Sequence, residues 1–121
     1  MTLSEFYDKI GGSYKDVMGR LMTEARVKKY LYKLAGTGDY EGALAALDGK
    51  NWPDFFRFTH NLKGVSLNLG LTSLADVSAY ACDLCRNGDP TEDPVPAMAK
   101  VTEVYTNILA EIEAFKAQDQ A

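Results

Sequence analysis

A chain of 121 residues is long enough for one domain with a hydrophobic core, and 46% apolar with 25% charged residues is the composition of an ordinary globular protein. A net charge of −4 argues against binding nucleic acid through a broad basic surface. No apolar run approaches the roughly 20 residues of a membrane helix. The N-terminus, Met1-Thr2-Leu3-Ser4-Glu5, lacks the basic and apolar regions of a signal peptide, and two cysteines are too few for a disulfide scaffold. The expectation is a cytoplasmic protein with no nucleic-acid or membrane partner.

Helical signals run the length of the chain. Thr2 and Glu5 form a capping box ahead of a short helix through Ile10. Gly11-Gly12 ends it, and Ser13 caps a second helix to about Met22. Thr23-Glu24 either starts a separate helix or kinks a continuous one, and this segment reaches Leu34 or Ala35 before Gly36-Thr37-Gly38 stops it. Asp39 caps a short helix to Leu47, ended by Asp48-Gly49. Asn51, with Pro53 in the first turn, opens the next helix, and Gly70 stops it. Thr72 or Ser73 opens another to about Asn87, closed by Gly88. After the proline-rich loop Asp89–Pro94, a last helix runs from about Val95 to Lys116. Its Met98, Val101, Tyr105, Ile108, Ile112 and Phe115 step by threes and fours.

No segment alternates with period two, and no hairpin turn lies between β-rich runs. Short connections make the last three helices antiparallel neighbours. The expected fold class is all-α: an antiparallel up-and-down four-helix bundle with a short extra N-terminal helix, in a single domain over residues 1–121. Met1 and the polar end Lys116–Ala121 lean toward a free-standing protein.

The lone histidine, His60, is the candidate for chemistry, the alternative being an incidental surface histidine. On a helix from Trp52 to Leu69, at about 100° per residue, Phe55, Phe58, Leu62, Val65 and Leu69 share one face. His60 falls opposite, beside Phe56, Gly64 and Leu67, where it is presented rather than packed. Lys63 and Gly64 adjoin it at i+3 and i+4. Lysine supplies a flexible cation for an anion formed on the ring. Glycine inside a helix costs about 1 kcal/mol against alanine, so Gly64 is there either to admit a bulky reagent or to let a neighbouring helix pack closely. Phe56 and Leu67, with Arg57 and Asn68, form a candidate docking patch, unless the short Asp39–Leu47 helix or the N-terminal helix covers it. Ser66 falls at the edge of the core.

The run His60-Asn61-Leu62-Lys63-Gly64-Val65-Ser66, followed by Leu69-Gly70-Leu71, resembles the H-x-L-K-G-x-(S/A) signature of histidine phosphotransfer (HPt) domains. Gly11-Gly12 with Leu21, and Asp39 to Asp48 leading into the histidine helix, are similar to that family's upstream pattern. The resemblance implies a phosphocarrier between receiver domains of response regulators, with a hybrid histidine kinase as a further partner. His60 would take the phosphoryl group on Nε2, as a neutral imidazole. Lys63 would offset phosphate charge, and Gly64 would leave room for the receiver. No cofactor is implied, because Mg²⁺ sits in the partner receiver, and no ATP-binding kinase activity is expected. A monomer follows, since the His60 face must stay open. Where many members carry a ring-orienting glutamine or glutamate on the next helix, this chain has Cys82. Ser78, Asp83 or water would then orient the ring.

Two other readings compete. Cys82 and Cys85, spaced C-x-x-C, could join His60 as metal ligands, although they read more simply as small core residues. A helical docking module without chemistry is the second. Arg26, Lys28, Lys29 and Lys33 read as a solvated basic face. Tyr30, Tyr32, Tyr40, Tyr80 and Tyr105 read as amphipathic packing residues.

Overall fold

The computed structural model describes residues 1–120; Ala121, the last residue of the polar end, lies outside the described residues. Seven α-helices follow in order: α1 (Leu3–Lys9), α2 (Tyr14–Leu21), α3 (Glu24–Leu31), α4 (Asp39–Asp48), α5 (Trp52–Asn68), α6 (Thr72–Leu84) and α7 (Val95–Asp119). A 3-10 turn, Leu34–Gly36, separates α3 from α4. No strand occurs among the described residues.

Side chains that compete with the backbone in solution set the starts. Thr2 and Glu5 close the expected capping box, and Ser13, Thr23 and Asn51 each accept an amide hydrogen bond from three residues on. Met22, at φ 75, breaks the chain between α2 and α3, so Thr23 starts a separate helix. Elsewhere the boundaries differ from expectation. The cap of α4 is Gly38, with Asp39 inside the first turn. Helix α6 stops at Leu84 because the loop folds back: the Thr91 amide donates to the Leu84 carbonyl, which the Gly88 amide would take in a longer helix. Helix α7 runs past Lys116 to Asp119.

Helices α4 to α7 form the expected up-and-down bundle. α5 packs between α4 and α6, and α6 packs on α7. Tyr40 closes the fourth side from α4, stacking on Tyr105 of α7 at 4.2 Å and donating to Thr102 Oγ1 at 2.9 Å. Phe55, Leu62, Leu74, Ala81, Val101 and Ile108 fill the interior. Gly42 on α4 admits the ring of Phe58, which a Cβ there would meet at 2.5 Å. Of the tyrosines, Tyr30 and Tyr80 are not packing residues: they stay 46% and 54% exposed.

The N-terminal addition consists of three short helices, of which α1 is the expected one. They seat on the turn between α5 and α6 and on the end of α7. Tyr7 Oη donates to the Leu69 carbonyl at 2.6 Å, the Ser13 amide to the Gly70 carbonyl at 2.8 Å, and Ser73 Oγ to the Ile10 carbonyl at 2.9 Å. Phe6 packs on Phe115, and Lys9 meets Glu111 at 3.0 Å. Gly70 makes the junction possible: its φ is 68, and a Cβ there would lie 2.7 Å from the Ser13 carbonyl oxygen.

Candidate functional site

The buried stripe of α5 is Phe55, Thr59, Leu62, Ser66 and Leu69, while Phe58 and Val65 are only half-buried. The core side is therefore rotated toward α6 from the sequence wheel, and Ser66 is fully buried rather than at the edge. Two polar residues occupy this stripe because each satisfies itself within the helix. Thr59 Oγ1 donates to the Phe55 carbonyl at 2.7 Å, and Ser66 Oγ to the Leu62 carbonyl at 2.7 Å. The rotation leaves His60 exposed, as expected.

The imidazole lies parallel to the ring of Phe56, with centroids 5.9 Å apart and planes 13° apart. Phe56 is itself half-buried, with contacts from α6 and the turn after it. Cys82 Sγ reaches its carbonyl at 3.8 Å, and the Arg86 guanidinium sits 5.7 Å from its ring centroid. None of the suggested ring-orienting side chains is directed to His60. Cys82 is 1% exposed and turned to the Phe56 carbonyl. Asp83 accepts from Arg86 at 2.5 Å, and Ser78 is fully buried with no partner for its hydroxyl. The aromatic contact of the imidazole is with the parallel ring of Phe56.

Gly64 is exposed, and a Cβ built on it meets nothing within 4 Å. Close packing of a neighbouring helix therefore does not explain the glycine. Lys63 is half-buried beside His60 and near Asp83, whose carboxyl the Arg86 hydrogen bond, with help from Lys63, holds below its usual range. Lys63 adjoins His60 on α5, while Arg86, ion-paired with Asp83, lies against the Phe56 ring. The sequence reading does not single out Arg86. Its signal is the spacing of one helical turn from Cys82, the position where the HPt resemblance puts the residue facing the histidine.

The candidate docking residues divide. Leu67 is 46% exposed and Asn68 is exposed two turns past His60. Arg57 is also exposed, but it is drawn to Asp54 at 3.5 Å and over the Phe58 ring at 4.2 Å, away from the histidine. Cys82 and Cys85 are both buried free thiols, raised in pKa mainly by burial. No group of three or more His, Cys, Asp and Glu side chains converges to hold a metal among the described residues. No described helix is long and apolar enough to cross a membrane.

Among protein-family models, the one described as the Hpt domain matches residues 36–118, which takes in α4 to α7 up to its last residue and leaves α1 to α3 outside. No curated protein and no solved structure matches the chain.

Proposed function

Because the chain belongs to the Hpt domain family, we propose that it is a phosphocarrier that accepts a phosphoryl group on His60 from the aspartyl phosphate of one receiver domain and passes it to another. The observation that carries this reading is an exposed imidazole stacked on Phe56, next to a glycine with open space above it and a lysine one turn away. In the forward step the lone pair of His60 Nε2 attacks phosphorus. An N–P bond forms, the P–O bond of the mixed anhydride breaks, and the receiver's aspartate leaves as a carboxylate. The ring proton stays on Nδ1. Reversal of the same step delivers the phosphoryl group to the next receiver.

Little covalent chemistry falls to the protein in such a transfer, so positioning and charge carry it. Phe56 fixes the ring plane. Lys63 and Arg86 offset the charge of the phosphoryl oxygens as they arrive, and Gly64 lets the receiver approach. Mg²⁺ is supplied by the receiver. On this reading the chain works in the cytoplasm as a monomeric domain, since self-association over the exposed face of α5 would close His60 to its partners.

The test is transfer from a panel of phosphorylated receivers to the wild type and to His60→Gln, which keeps side-chain bulk without a nucleophile. The expected product is an acid-labile, base-stable label on wild type only. A folded wild-type protein that binds a receiver yet takes no label from any of them would replace the carrier with a docking module.

A further inference from the structure

Residues 1–35 lie outside the family match, yet they build one wall of a groove of about 490 Å³ beside the histidine face. The other wall is the C-terminal half of α5. Leu21, Leu34, Val65 and Leu69 give the groove an apolar floor, and Arg20 and Lys33 stand at its rim. Lys33 has no carboxylate partner among the described residues. Arg20 uses one N–H to cap α5, donating from Nη1 to the Leu67 carbonyl at 2.6 Å, and keeps the rest of its guanidinium free. Tyr30 lines the same groove at 46% exposure, with the Lys29 ammonium 5.6 Å from its ring centroid. In a chain of net charge −4 this is a local reversal of sign, and it favours an acidic occupant.

The groove is continuous with the face that presents His60. Asn68 belongs to both, and eight residues at 1.5 Å place it about 12 Å along the α5 axis from the histidine. A protein partner of ordinary size covers about 800 Å², a disc of roughly 16 Å radius. Anything seated on His60 therefore also lies over the groove mouth.

We infer that α2, α3 and the 3-10 turn form a partner-selection groove, which receives from the docked receiver domain an apolar side chain flanked by carboxylates. The inference rests on the phosphocarrier reading and adds to it the element that chooses among receivers. The family-matched helices present the histidine; the N-terminal helices decide which receiver reaches it.

The test uses Lys33→Glu and Tyr30→Ala, both at exposed side chains, with Lys100→Glu on α7 as a charge-matched control. Unfolding curves establish that each variant is folded. Transfer from phosphorylated receivers is measured as KM and saturating rate across the panel. The expected result for Lys33→Glu is a KM about tenfold higher toward the preferred receiver, a saturating rate unchanged, and a flattened preference among receivers. Tyr30→Ala should shift KM in the same direction, and Lys100→Glu should not. Exchanging an acidic residue for lysine on the preferred receiver should restore Lys33→Glu. Unchanged KM and preference in both groove variants, with His60 still labelled, would overturn the inference and leave the phosphocarrier intact. Absence of label on the wild type would instead remove the reading beneath it. Methyl resonances of Val65 and Leu69 that respond to small organic acids or to protein concentration, but not to the receiver, would also overturn the inference.

Discussion

Gly64→Ala should stabilise the protein while slowing phosphoryl transfer, two effects that a structural glycine would not combine. Gly64 lies in the interior of α5 with a helical backbone, and an added Cβ meets nothing within 4 Å. Alanine there loses nothing to packing and gains from the smaller freedom of the unfolded chain, a difference of about 1 kcal/mol. For a chain of this length that corresponds to a rise in Tm of roughly 3–5 °C. The same methyl projects into the approach to His60. Intrusion of a methyl-sized group into a close-fitting contact costs about 1–3 kcal/mol, or roughly 5- to 150-fold in kcat/KM for transfer from a receiver, and Gly64→Leu should lose more. Urea and thermal unfolding followed by circular dichroism give the first quantity, and initial rates of label transfer give the second. Destabilisation by Gly64→Ala would refute the claim that the site is open. Equal transfer rates for glycine, alanine and leucine would refute the claim that the openness serves the receiver.

Gly70→Ala should act in the opposite sense: at φ 68, with Ser13 O at 2.7 Å from the new Cβ, it should cost about 2 kcal/mol or more and loosen α1 to α3, read as a lower urea midpoint and faster amide exchange there. Cys82 and Cys85, 1% and 3% exposed and raised in pKa by burial, should resist iodoacetamide at neutral pH until the protein unfolds, and rapid alkylation of the native protein would contradict their placement. Asp119 is held below its usual carboxylate pKa of 3.8 by the Lys28 hydrogen bond, so this pair's stabilisation is full above that value and disappears as pH falls through the lowered one. Asp119→Asn should flatten that part of the pH–stability curve at low salt, by a small amount because the pair is solvent-screened, and an unchanged acid limb would exclude the pair as a contributor.

The bundle and its histidine were legible because they rest on strong local signals. Caps at Thr2, Ser13 and Asn51, the stop at Gly70, and the three-and-four spacing of Met98 to Phe115 all act within a few residues. The exposure of His60 followed from periodicity alone. What periodicity could not give was decided by contacts between distant segments. The core side of α5 is rotated because Thr59 and Ser66, polar by composition, hide their hydroxyls on their own helix carbonyls and enter the core. The early end of α6 depends on Thr91 reaching back from the loop. The imidazole lies parallel to Phe56, and over that ring sits Arg86, from the turn after α6. The groove beside α5 needs four segments to meet, and no single stretch of sequence announces it.

On the phosphocarrier reading, a division of labour within the chain accounts for why so few residues of the site would carry chemistry. Transfer between an aspartyl phosphate and an imidazole needs no general base, because the nucleophile is neutral and the leaving group is already a carboxylate. On that reading the chain would need only a presented ring, a nearby cation and an open approach, which His60, Lys63 and Gly64 of α5 would supply within about one helical turn. Such a minimal site would serve many receivers equally well. Discrimination would then come from surface beyond the reacting atoms, and α2 and α3 provide such surface outside the family match. Part of the attachment of the N-terminal helices to the bundle runs through Leu69 and Gly70, which end the histidine helix, and Ser73 in the first turn of α6; the rest runs to the end of α7. On the inference above, selection and chemistry would share one junction, and a receiver that fits the groove would be placed over His60 by the backbone that ends α5.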